Sequence, residues 1–186
     1  DVFDGTNWRT ILVGGLGAGG RAYYALDVTD PANPKSLWEI SSANDSDLGF
    51  TFGNPVITKN KAGTWVVAFS SGYNNVSPGD GNGHLYIRNA ISGAAVDKIG
   101  TFTAGTTPAG TTGAPSELGK INGWVNDDTN NTAARFYAGD MLGYMWRFDF
   151  DDNIAPTGNE AMLMGRALTS GGVPQPITTK PMLAKV

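Results

Sequence analysis

The chain carries one histidine, His84, and no cysteine. A thiol nucleophile, a disulfide and a Cys-based zinc or iron–sulfur site are therefore excluded, and a His-based triad or His-rich metal site is disfavoured. Acid–base chemistry would fall on the 17 Asp and Glu residues, yet no two of them are placed by spacing as a working pair. The run "GGLGAGG" at Gly14–Gly20 contains a Gly-x-Gly-x-x-Gly pattern. No helical pattern follows it, so no helix N-terminus is there to cradle a phosphate. The acidic turns at Asn74–Gly83 and Phe150–Asn153 read as solvated corners between strands. Five tryptophans, Trp8, Trp38, Trp65, Trp124 and Trp146, could each stack on a flat cofactor. All five lie within strand-like runs, which points to core packing.

These residues must be positioned by strands. The chain has 186 residues, of which 26 are Gly and 10 Pro, and charged residues make up 16%. Many turn formers and few charges favour an all-β protein, because Gly and Pro cost most inside helices. With 13 Lys and Arg against 17 Asp and Glu, the net charge of −4 argues against nucleic-acid binding. No apolar run approaches the roughly 18 residues of a transmembrane helix. Short β-branched and aromatic runs recur, bounded by Gly, Asn, Asp and Pro. Among them are Trp8–Val13, Arg21–Val28, Thr64–Ser70, His84–Ala90, Ala134–Ala138, Tyr144–Phe150, Ala161–Leu168 and Pro181–Val186.

The runs repeat. "GGRAYYALDV", "GNGHLYIRNA" and "MLGYMWRFDF" align so that Asp27, Asn89 and Asp149 fall at one offset, and Tyr24, Tyr86 and Trp146 at another. A unit of four strands in roughly 60 residues is a propeller blade, a small antiparallel sheet buried against its neighbours. The expected architecture is a partial β-propeller of about three four-stranded blades, over residues 8–41, 54–100 and 121–168. The first blade lacks its first strand, and 179–186 begins the next. Such an arc does not close, so its end blades expose apolar faces. The Thr- and Gly-rich stretch Thr101–Lys120 reads as a long mobile connection between blades.

Several segments carry a family resemblance. "FYAGDMLGYMWRFDF" at Phe136–Phe150 resembles the β-propeller domain of type IV pilus tip-associated adhesins, the PilY/PilC family. "GLGAGGRAYYALDVTDP", "LGFTFGNPVI", "FSSGYNN" and "QPITTKPML" are similar to the same family and keep its order. The resemblance implies a quinoprotein-like propeller cut from a longer exported precursor. It also implies a place at the pilus tip, outer membrane or surface of a Gram-negative cell. Implied partners are minor pilins and a host or abiotic surface, with Thr101–Lys120 and Asn74–Asn82 as candidate adhesive loops.

Members of that family can carry a calcium loop, D-x-D-x-D-x-x-x-D, just before the "YAGD" strand. Here the ligand positions fall on Asn126, Asp128, Asn130 and Ala134, with the Thr132 carbonyl between them. Asp128 alone of these is a carboxylate, with Asp127 available if the register shifts by one, so calcium binding is expected to be weak. The quinoprotein relationship raises a rival function, a periplasmic dehydrogenase using pyrroloquinoline quinone and calcium. A propeller scaffold for outer-membrane assembly is another. The absence of a catalytic constellation favours a protein that is not an enzyme and holds no organic cofactor.

Overall fold

The computed structural model describes residues 1–101, 110–127, 129–150 and 160–184. Among these, every regular element is a strand. A short hairpin pairs β1 (Val2–Phe3) with β2 (Trp8–Arg9). Three antiparallel meanders follow. The first contains β3 (Ile11–Gly15), β4 (Ala22–Asp27) and β5 (Lys35–Ser41). The second contains β6 (Val56–Lys59), β7 (Trp65–Ser70), β8 (His84–Asn89) and β9 (Ala95–Gly100). The third contains β10 (Ile121–Val125), β11 (Ala133–Gly139), β12 (Tyr144–Asp149) and β13 (Glu160–Arg166). The all-β expectation holds, and strands pair in chain order within each sheet.

The repeat has a structural counterpart. Tyr24, Tyr86 and Trp146 each occupy the third position of the penultimate strand of their sheet. Just before each strand the same backbone bond recurs: Leu16 N–H to Ala22 O, Ser71 N–H to His84 O, and Asp140 N–H to Tyr144 O. The sheets differ in the length of the turn these bonds close. It is short at 141–143 and 17–21 but long at 72–83.

Packing between sheets explains the patterns. β7 reads "WVVAFS", an almost continuous apolar run, because both its faces are covered. Val66 and Ala68 join Leu85, Ile87, Phe136, Ala138, Trp146 and Phe148 in one core. Val67 and Phe69 turn the other way and join Tyr23, Ala25, Trp38, Ile40 and Tyr86 in a second. Tyr23, Phe69 and Tyr86 stack in sequence, with centroids 4.2 and 5.3 Å apart. The end sheets do expose apolar groups, including Leu12, Met162 and Met164.

Three expectations are corrected. The run Trp8–Val13 is not one strand: β2 and β3 separate at Thr10, and β2 turns back on β1. Trp8 is consequently 63% exposed rather than part of a core. On β11, Tyr137 is half-buried while Phe136 is buried. The register decides this: Phe136 pairs with Phe148 and Ala138 with Trp146, so Tyr137 falls on the opposite face. At the C-terminal end, 181–184 form no strand.

The hairpin is fastened through charge. The Arg9 guanidinium bonds the carboxylates of Asp4 and, at 2.7 Å, Asp27. The Thr29 hydroxyl and N–H, together with Arg9, hold Asp27 down at a pKa of about 2.

Candidate functional site

The long β7–β8 turn, 72–83, leaves the end of the second sheet where the β5–β6 connection arrives from the first. The two segments are laced together. Gly49 N–H donates to Ser71 O, and Phe50 and Tyr73 exchange backbone bonds. Asn75 is fully buried, and its Nδ2 donates to the carbonyls of Asp47 (3.1 Å) and Asn82 (2.6 Å). Asp80 N–H donates to Asp47 Oδ1 at 3.0 Å. The reading of this turn as a solvated corner is therefore corrected: its middle is built into the boundary between two sheets.

Charge converges there. His84 opens β8 and is 5% exposed. Its Nε2 lies 3.1 and 3.2 Å from the two Asp80 carboxylate oxygens and 3.7 Å from Asp47 Oδ2. Lys98 Nζ, from β9, donates to both oxygens of Asp45 at 2.8 and 3.0 Å and to Asp47 Oδ2 at 2.8 Å. The ammonium also sits 5.2 Å from the Tyr86 ring centroid. Burial opposes ionisation of Asp45, yet Lys98 and the Asp47 N–H outweigh it, and its pKa is lowered. Burial works against the Lys98 ammonium too, but Asp45 and Asp47 raise its pKa. Asp80 is lowered, chiefly through Asn82 and His84 acting against partial burial. The Tyr86 phenol is pushed up by burial and by Asp45, Asp47 and Asp80, which all face it. Asp80 and His84 stand four residues apart in the chain, but nothing in its pattern brings Asp47 or Lys98 to them.

The predicted calcium turn lies at the other end of the third sheet, between β10 and β11. Asp128 lies outside the described residues. The neighbouring polar groups are occupied in the turn itself. Asn126 Oδ1 accepts the Trp124 indole N–H (2.6 Å), and Asn130 Oδ1 accepts Thr132 N–H (2.8 Å). Asp127 Oδ1 accepts from the Thr129 N–H and hydroxyl, which lowers its pKa. Asn131, at φ 54°, gives its carbonyl to Lys59 N–H and the Thr58 hydroxyl.

The candidate loop Thr101–Lys120 is only partly described, since 102–109 fall outside. Residues 111–114 are exposed, whereas Leu118 and Ser116 are fully buried, and Ser116 Oγ accepts Gly83 N–H at 2.6 Å. Elsewhere, a cavity of about 460 Å³ opens between the N-terminal hairpin and the second sheet, lined in part by Phe3, Asp4, Trp65 and Asn89. Trp8 stands at its side, 6.3 Å from the Trp65 ring.

A family model, the PilY1 beta-propeller domain, matches residues 1–181. The chain belongs to the PilY1 β-propeller family. A PilY1 homolog of Xylella fastidiosa, named a type IV pilus biogenesis factor, is 36% identical over 186 residues. That match covers 98% of this chain and 14% of the relative. Pseudomonas aeruginosa PilY1, likewise named, is 37% identical over 149 residues, covering 80% of this chain and 12% of that protein. The chain thus spans about a seventh of these curated relatives. The crystal structure of the Pseudomonas aeruginosa PilY1 C-terminal domain superposes with a TM-score of 0.79 at 34% identity, covering 98% of this chain and 39% of that one. The three stacked meanders are accordingly an arc of the PilY1 propeller.

Proposed function

We propose that this PilY1-type propeller arc acts without catalysis, as part of a type IV pilus biogenesis and adhesion protein exported to the cell surface. The observation that carries the reading is the family match over residues 1–181, joined to relatives named type IV pilus biogenesis factors. Pilus tip or outer membrane is its place, and minor pilins and a host or abiotic surface are its partners. Packing supports the non-enzymatic reading over a quinone dehydrogenase. Trp38 and Trp146, which could have stacked on a cofactor, are buried between sheets, and their indole N–H groups donate to Ala90 O and Asp140 Oδ2.

The test is removal of this arc from the full-length protein in its own cell. Surface pili and twitching motility should be lost. Reconstitution of the intact protein with pyrroloquinoline quinone and calcium should give no dye-linked oxidation of alcohols or sugars. Normal piliation after removal, or oxidation on reconstitution, overturns the proposal.

Calcium at Asn126–Ala134 is proposed to bind weakly, with a Kd of roughly millimolar, because one or two carboxylates supply little charge. Calorimetric titration of the wild type against Asp128→Ala checks this. Micromolar binding abolished by the substitution would show the ligand set to be sufficient.

A further inference from the structure

The charged corner holds an unbalanced set. Three carboxylates, Asp45, Asp47 and Asp80, converge there on the Lys98 ammonium and the His84 imidazole at the junction of two sheets. Like charges this close repel unless a cation joins them. The donor atoms of Asp47, Asp80 and His84 lie within 4.8 Å of one another. Two donors bound at about 2.0–2.2 Å to one tetrahedral ion stand roughly 3.4 Å apart. The His84 Nε2 distances to Asp80 Oδ1 and Asp47 Oδ2, 3.1 and 3.7 Å, bracket that separation. The scaffold is also set: Asn75 ties the Asp47 and Asn82 carbonyls together, and His84 is fixed at the start of a strand.

A buried side chain built into the corner gives an independent indication. Tyr86 is 2% exposed, and its hydroxyl faces the three carboxylates, with Asp45 as its acceptor. Asn75, whose Nδ2 binds the carbonyl of the ligand residue Asp47, is 0% exposed, and its Oδ1 is unpartnered. Buried polar atoms are rarely left so unless a water or ion completes the site.

We propose that Asp47, Asp80 and His84 form a site for a divalent first-row transition ion, Zn²⁺ foremost, at the junction of the first and second sheets. One imidazole and two carboxylates form a donor set for Zn²⁺ rather than Ca²⁺, which takes 6–8 oxygen ligands. On binding, Asp47 turns its Oδ2 from Lys98 to the ion, and Lys98 keeps Asp45. The ion fastens the 72–83 turn to the β5–β6 connection. This site is separate from the Asn126–Ala134 turn and does not depend on the pilus reading.

The experiment is titration of the metal-free protein with Zn²⁺, read by calorimetry and a competing zinc indicator. Co²⁺ substitution follows, read by its visible absorption. The wild type should bind one equivalent with a Kd in the micromolar range or tighter. Asp80→Asn and His84→Ala should each weaken binding at least tenfold, and His84→Ala should alter the Co²⁺ spectrum. Lys98→Met should tighten binding, because it removes the competing ammonium. Asp128→Ala should leave it unchanged. Asp80 is the most exposed of the three ligands, with a side chain 39% accessible, so Asp80→Asn serves even if His84→Ala fails to fold. No Zn²⁺ binding by the wild type, binding unchanged in Asp80→Asn, or displacement of Zn²⁺ by millimolar Ca²⁺ would each overturn the proposal.

Discussion

Asp140→Ala should destabilise the domain by about 3–4 kcal/mol, measured as the shift of the urea midpoint against the wild type. Asp140 is fully buried at the β11–β12 turn. Its Oδ1 accepts Leu142 N–H (2.9 Å) and Tyr144 N–H (2.8 Å), and its Oδ2 accepts the Trp146 indole N–H (2.8 Å). Alanine leaves three donors without an acceptor, and each buried orphan costs about 1–3 kcal/mol, less than additively. Asp140→Asn should cost less, because the amide oxygen still serves the two backbone donors while its NH₂ meets the indole N–H. Burial raises the Asp140 pKa despite these bonds. Folding therefore disfavours its carboxylate relative to its acid form, compared with the unfolded chain. That contribution is complete below the unfolded value of 3.8 and fades as pH rises through the folded pKa. The Asn variant should lose this part of the pH dependence. A midpoint for Asp140→Ala within 1 kcal/mol of the wild type would show that water replaces the carboxylate.

Gly72→Ala should cost about 2–5 kcal/mol by the same measurement. Gly72 opens the long β7–β8 turn at φ +77°, and a Cβ there would lie 2.0 Å from the Phe50 carbonyl oxygen. Two costs combine: the left-handed conformation, about 1–2 kcal/mol for a residue with a Cβ, and an overlap with backbone that no rotamer relieves, about 1–3 kcal/mol. Gly63 separates them. Its φ is +82°, but a Cβ there meets nothing within 4 Å. Gly63→Ala should therefore show the conformational part alone. Equal losses at the two sites would mean that the Phe50 segment moves aside freely.

The blade repeat was legible because burial on two faces leaves a dense mark. A strand covered on both sides must be apolar at nearly every position, as β7 is, and the strands β4, β8 and β12 beside such runs repeat an aromatic residue and an Asp or Asn at matching offsets. Phase within a strand was less legible. "RFYAG" offers Phe136 and Tyr137 as equally good inward residues, and only pairing of Phe136 with Phe148 chooses between them. Arg135 then lies 5.3 Å from the Trp124 ring and donates to the Tyr137 hydroxyl, making a half-open face from residues that look like core. The break at Thr10 was hidden because β2 and β3 are both strands, and what changes is the partner. The charged corner was illegible for a different reason. Asp47, Asp80, His84 and Lys98 come from three segments, and only the stacking of one sheet on the next makes them neighbours.

The apolar faces of the second sheet belong to two different cores, while the third sheet leaves Met162 and Met164 bare. Cohesion in such a stack passes only between nearest neighbours. The arc behaves like a short pile of cards whose middle card is gripped twice. Slow opening should begin at the outer leaves, with the amides of β7 and β8 exchanging last, since releasing them means losing one neighbour or the other first. A tug on the chain would peel β13 before it reached β8. A long turn anchored in the middle leaf, as 72–83 is, therefore rides on the part of the arc that yields last.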